Sequence, residues 1–163
     1  MAVQKIGEHI PREEDFRLLR GKGRYVADVK LPGEAQGIVL RSPHAHARIL
    51  SIDTGRAKAS PGVIAVFTAA DLAKRGLGST RPFAPRKRSN GTPAFVCPQP
   101  LLVKDRVRYV GDPVAFIVAE SVNAAKDAAE LVDIRYEPLP AVITAEAALA
   151  PGASAVHDDN PGN

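Results

Sequence analysis

The sequence predicts an α+β domain of short strands, one strand–helix–strand (βαβ) unit and long irregular loops. Three observations carry that expectation. The 163 residues include 13 glycines and 14 prolines, punctuation too frequent for a helical bundle. Two apolar runs, Val63-Ile64-Ala65-Val66-Phe67 and Val114-Ala115-Phe116-Ile117-Val118-Ala119, have the length and composition of buried strands. After Ser121, the apolar residues Val122, Ala125, Ala128, Ala129 and Val132 recur at helical spacing. The length suits one domain. With 45% hydrophobic and 25% charged residues, the chain has enough apolar surface to exclude a wholly disordered state.

Taken in order, residues 1–20 are polar, with Phe16, Leu18 and Leu19 able to dock the arm as a short helical turn. The segment from Gly21 to Val26 leads into a strand-like run, and Leu31-Pro32-Gly33 reads as a turn. Glu34 to Arg41 is a strand stopped by Pro43, and Ala47 to Ile52 is a second strand, apolar on both faces. Asp53-Thr54 caps a short helix that Pro61-Gly62 ends. Val63 to Phe67 forms the next strand. Thr68-x-x-Asp71 then opens another helix as a capping box with Asp in the usual place of Glu.

Residues 76–100 make a long irregular stretch, of the kind that is usually functional or waiting for a partner. Leu101–Val103 and Val107–Val110 are short strand candidates. Val114–Ala119, the helix from Ser121 and the strand Ile134–Glu137 form the expected βαβ crossover. Leu139 to Val142 wraps back, Thr144 starts a last helix through Leu149, and residues 151–163 have the composition of a linker.

Few residues suggest chemistry. Cys97 is the single cysteine, so an intrachain disulfide and a four-cysteine zinc site are excluded. No histidine lies near it in sequence, and nucleophilic chemistry is not expected there. Gly21-x-Gly23 has a residue other than Gly or Ala, Val26, where a dinucleotide fingerprint needs its third small residue, and reads as a turn. His44-Ala45-His46 has the spacing of two ligands on one strand face. With His9 and His157 in remote termini, hydrogen-bonding histidines are the expected reading rather than a metal site. Arg81 and Arg86-Lys87-Arg88, flanked by Phe83 and Phe95, form a basic loop; a solvated loop or a protein contact is favoured over nucleic acid. A net charge of +4 is a weak footprint for nucleic acid. Neither a secretory signal nor an apolar run of roughly 20 residues is visible, so a cytoplasmic protein is expected.

Four segments together resemble a known family. They are Arg17 to Asp28 (RLLRGKGRYVAD), Arg41 to Ile49 (RSPHAHARI), Val107 to Ala115 (VRYVGDPVA) and Asp133 to Val142 (DIRYEPLPAV). Their wording and order are similar to the N-terminal domain of molybdenum hydroxylase large subunits, the family of xanthine dehydrogenase, aldehyde oxidase and carbon monoxide dehydrogenase. The resemblance runs from about Ile6 through Asn163. It implies the α/β-hammerhead fold, with residues 1–150 as the hammerhead domain and its N-terminal arm, and 151–163 as a linker to downstream domains.

The resemblance also implies where chemistry belongs. In the family, the molybdopterin (molybdenum) site and the catalytic glutamate lie in later domains, and no residue here matches those motifs. No catalytic, cofactor-binding or metal residue is therefore carried over. Iron–sulfur and FAD centres belong to other domains or partner subunits. Because no such module precedes Met1, the chain resembles the start of a separate bacterial-type large subunit.

The expected function is non-catalytic scaffolding. The candidate interface is Arg41, His44, His46 and Arg48 together with Arg81, Arg86, Lys87 and Arg88. The expected partners are the downstream molybdenum-binding domains and the iron–sulfur and flavin subunits. The alternative is a free-standing binding module that uses the basic loop for nucleic acid or an acidic partner. An independent enzyme lacks a base–nucleophile or metal constellation in the sequence.

Overall fold

Backbone pairing follows the apolar runs. The computed structural model describes Gly7, residues 12–84 and residues 86–163; His9 lies outside them. The chain divides into two units, one up to Glu34 and one from Ala35 onward.

In the first unit, helix α1 (Asp15–Leu18) is a single turn. Gly21, at φ +66°, closes it, its N–H bonding Leu18 O at 3.0 Å. Phe16 and Leu19 are exposed, and the Arg20 guanidinium stacks 3.8 Å from the Phe16 ring centre. The strand expected after Gly23 is absent. Asp28 Oδ2 instead accepts from Tyr25 N–H at 2.9 Å, winding Val26–Asp28 into a 3₁₀ turn. A local side-chain bond outcompetes the extended form there. The Leu31-Pro32-Gly33 turn is present, with Glu34 N–H bonded to Leu31 O.

The second unit contains strands β1 (Gln36–Arg41), β2 (Ala47–Asp53), β3 (Val63–Thr68), β4 (Ser79–Thr80), β5 (Gln99–Pro100), β6 (Arg106–Val107), β7 (Pro113–Ala119) and β8 (Asp133–Pro138). Its helices are α2 (Gly55–Lys58), α3 (Ala69–Lys74), α4 (Val122–Glu130) and α5 (Ala145–Leu149). One sheet has the order β1-β7-β3, another β6-β2-β8, and β4 pairs with β5 alone. Every ladder among the described residues is antiparallel.

The most apolar strand takes the central place. In β7, Val114, Ala115, Ile117 and Ala119 are fully buried. Helix α4 packs on this sheet through Ala125 and Ala128, both fully buried; their small side chains allow close approach. Ser121 Oγ caps the helix by accepting from Ala124 N–H at 3.1 Å. Val122, expected on the packed face, sits at the helix entrance and stays exposed. Together with Ala57, Val66, Ile117 and Ala119, this helix completes one core. A second core joins Ala47, Val103, Val107 and Val114, with Ile49, Ile52, Ile134 and Tyr136 against it.

Further expectations change. Of the expected strand Val107–Val110 only Val107 pairs, within β6. The strand–helix–strand succession β7–α4–β8 is present, but its strands lie in different sheets, so it makes no parallel crossover. Strand β2 is buried on one face only. Its register against β8 shifts between Ile49 and Ser51, so Ile49 and Ile52 both reach the core while Leu50 points out, 57% exposed. Leu101–Val103 is not a strand: Leu102 and Val103 are buried as irregular chain, and the pairing residues precede them at Gln99–Pro100.

The helix signals hold. Asp71 Oδ2 accepts from both Thr68 N–H and Thr68 Oγ1 at 2.8 Å, and Thr144 Oγ1 accepts from Ala147 N–H at 3.1 Å. Gly62 has φ +74° in the turn after α2, where a β-carbon would also stand 3.3 Å from that of Ala124. Among the described residues no helix is long and apolar enough to cross a membrane.

Candidate functional site

The segment Arg41–Arg48 is the hub at which three of the four motifs meet. It leaves β1 at a register shift between Leu40 and Arg41. Ser42 N–H bonds Asp112 O at 2.9 Å, and Gly111 N–H returns to Ser42 O at 2.8 Å. The Arg41 guanidinium donates to Gly111 O at 2.8 Å. Ser42 Oγ accepts from His44 N–H at 3.0 Å, turning the chain after Pro43.

The two histidines part company in that turn. The His44 ring lies 4.6 Å from that of Tyr136, tilted by 53°. His46 is buried, its Nδ1 2.8 Å from Pro140 O, which makes that nitrogen the donor. Leu139 N–H meets His46 O at 2.9 Å. The H-x-H pair therefore ties the Arg41–Arg48 segment to the 133–142 segment. Among the described residues no three His, Cys, Asp or Glu side chains converge as a metal site. Arg48 lies outward and pairs with Glu137 at 3.6 Å, an exposed contact of small energetic weight.

The Val107–Ala115 motif closes the hub. Asp112 is buried and its Oδ2 accepts from Arg108 N–H at 2.6 Å. Partial burial, with the Asp112 carboxylate beside it, raises the Tyr109 phenol above its ordinary value.

The basic residues sit elsewhere, on the loop that β4 and β5 close. Within it a bridge between Lys87 and Pro93 forms a small hairpin. Asn90 Oδ1 accepts from Thr92 N–H and Oγ1, and Arg88 N–H bonds Thr92 O. Arg86, Lys87 and Arg88 are thereby displayed on an exposed turn. Arg81 and Arg86 flank an open cleft of 430 Å³ with Phe95 and Val96 among its lining.

One further cluster has no local sequence signal. Residues 151–163 fold back against β6: Arg106 Nη1 bonds Asp158 Oδ1 at 2.7 Å, and Arg108 Nε bonds Val156 O at 3.0 Å. His157 consequently stands beside Cys97, with Nε2 3.3 Å from Sγ, which corrects the expectation of a thiol without a histidine and of a remote His157. The Phe95 ring lies 5.2 Å from the imidazole. Burial, reinforced by Arg108, lowers the His157 pKa below 6.5. Thiol and imidazole line a cavity of 130 Å³ with Val103, Arg108, Tyr109 and Asp112. Sixty residues separate the pair, so no local spacing signal exists.

Comparison with known proteins decides the family. Residues 20–140 match the family described as aldehyde oxidase and xanthine dehydrogenase, a/b hammerhead domain. The chain belongs to that family. This hammerhead domain is 43% identical over 157 residues to the carbon monoxide dehydrogenase large chain of Afipia carboxidovorans, covering 96% of this chain and 18% of that protein. It is 36% identical over 155 residues to the xanthine dehydrogenase molybdenum-binding subunit of Escherichia coli O157:H7, covering 93% and 19%. The crystal structure of quinoline 2-oxidoreductase from Pseudomonas putida 86 superposes with a TM-score of 0.84 at 43% identity, covering 97% of the hammerhead chain and 19% of that chain. The chain thus spans less than a fifth of the length of these relatives.

Proposed function

We propose that this hammerhead domain is a non-catalytic packing domain of a molybdenum hydroxylase large subunit. One observation carries the reading: 96% of the chain matches only 18% of the carbon monoxide dehydrogenase large chain. The hub supports it. Ser42 and Asp112 hold their own turns by accepting from His44 N–H and Arg108 N–H, and His46 Nδ1 reaches across to Pro140 O, while its Nε2 is buried without a partner. Groups spent on holding the fold together are not free to bind and turn over a substrate.

On this reading molybdopterin sits in downstream domains, and iron–sulfur and FAD centres sit on partner subunits. When bound there, molybdopterin supplies oxidation of a small carbon centre with water-derived oxygen. The residues here do not fit that group. The two buried polar atoms of the hub without partners, His46 Nε2 and Tyr136 Oη, are too few to hold it, and the cleft at Arg81 and Arg86 is open and lined mostly by apolar residues. Arg41, Arg48, Arg81, Arg86, Lys87 and Arg88 are exposed and supply the surface for neighbouring domains; His44 and His46 brace it from within. A cytoplasmic location belongs to the same reading.

The test is the activity of the purified chain given molybdopterin, an electron acceptor and, in turn, carbon monoxide, an aldehyde and a purine. No turnover above buffer is expected. Turnover that survives repurification would overturn the proposal.

A further inference from the structure

We propose that Cys97 and His157 form a thiol nucleophile and its base, a covalent modification site that takes a small uncharged electrophile into the adjoining cavity. The pair has the geometry such a step needs, Sγ and Nε2 lying 3.3 Å apart. Both residues line the 130 Å³ cavity, which has room for only a few heavy atoms and is walled largely by Pro98, Pro100, Val103 and Val156.

The base is positioned, not incidental. Its two chain neighbours are pinned, Val156 through its carbonyl to Arg108 and Asp158 through its carboxylate to Arg106. Phe95 packs against its ring. On the sulfur side, the Gln99 amide nitrogen approaches Sγ at 3.9 Å and offers a donor to developing thiolate charge.

Charge around the pair sets its working range. Burial is the largest influence and disfavours a protonated His157, as do Arg108 and Arg106, while Asp159 and Asp158 favour it; the net effect lowers its pKa below 6.5, so the imidazole is mostly neutral at pH 7. Asp112 and Tyr109 face the same cavity. A neutral Nε2 accepts the thiol proton as sulfur attacks. With iodoacetamide as the probe, the Sγ–carbon bond forms, the carbon–iodine bond breaks, iodide leaves with its electron pair and the proton passes to His157.

The experiment follows alkylation of the purified chain by iodoacetamide from pH 5.5 to 9, read by intact mass, with Cys97→Ser as the unlabelled control. The wild-type rate should hold a plateau through pH 7 and fall only below about 6.5, where His157 gains its proton. In His157→Asn and His157→Gln the rate should drop about tenfold or more at pH 7. The variants' rate should also keep falling with pH through 7, with no plateau, as for a thiol that has no base beside it. Circular dichroism and melting confirm that the variants fold. A wild-type rate that already falls tenfold per unit through pH 7 overturns the proposal without any variant; so do folded variants with the wild-type rate and profile.

Discussion

The ring of Phe116 lies over Gly37, two residues along β1 from its ladder partner Val39. A β-carbon at position 37 would stand 2.6 Å from Phe116 Cζ and 3.0 Å from Cε2. Gly37→Ala gains about 0.4–1 kcal/mol by restricting the unfolded chain, but displacing the ring costs about 1–3 kcal/mol. The expected net is a loss near 1 kcal/mol, read as a fall in Tm of about 2–4 °C. In a Phe116→Leu background the same change should be neutral or stabilising. An equal loss in both backgrounds would dissociate the two residues.

The central strand should be the most sensitive element. Ile117 is fully buried between α4 and the sheet, so Ile117→Ala should cost about 2–5 kcal/mol. Ala128→Leu forces a larger side chain into a contact with no free surface and should cost about 1–3 kcal/mol. Denaturant melts with unchanged m-values check both.

Asp71 makes the stability of α3 depend on pH. Its pKa is lowered from 3.8, chiefly by the Thr68 N–H and then by the Thr68 hydroxyl. A depressed folded pKa means that the stabilisation is present above the unfolded value and is lost as pH falls through the folded one. Asp71→Asn should therefore cost roughly 0.3–1.5 kcal/mol at pH 7. The gap between variant and wild type should narrow as pH drops below about 4. A pH-independent gap would contradict the bonding arrangement.

The fold-back of the last residues leaves a titration signature. Asp158 is held below 3.8 by its bond to Arg106, and His157 below 6.5 by burial and then Arg108. Carbon-detected NMR titration should show Asp158 returning to its ordinary range in Arg106→Met. His157 should rise toward 6.5 in Arg108→Met. Unchanged values would mean that residues 156–158 do not rest on β6 in solution.

Most strands and every helix start after residue 40 were legible, because they depend on local chemistry. Val63–Phe67 and Val114–Ala119 are strands by composition alone, and Thr68, Ser121 and Thr144 mark helix starts through bonds that reach three residues ahead. What escaped depends on pairing across the chain. Local periodicity cannot show that β7 and β8 enter different sheets, nor that a slip at Leu50 turns β2 one-sided. The resemblance motifs located the hub, although its physical content became visible only in three dimensions. Ser42 answers Asp112, and His46 answers Pro140. Cys97 and His157 look isolated along the sequence, since only the anchoring of the tail by Arg106 and Arg108 brings them together.

The packing role is tested most directly by assembly. The chain, tagged, is co-expressed with the Afipia carboxidovorans carbon monoxide dehydrogenase large chain lacking its own matching segment; that segment, expressed in trans, serves as the positive control. This hammerhead domain should co-purify with the truncated protein in equimolar amount, and charge reversal at Arg81, Arg86 and Arg88 should weaken the complex. A domain that stays separate on gel filtration while the native segment binds would contradict the packing role.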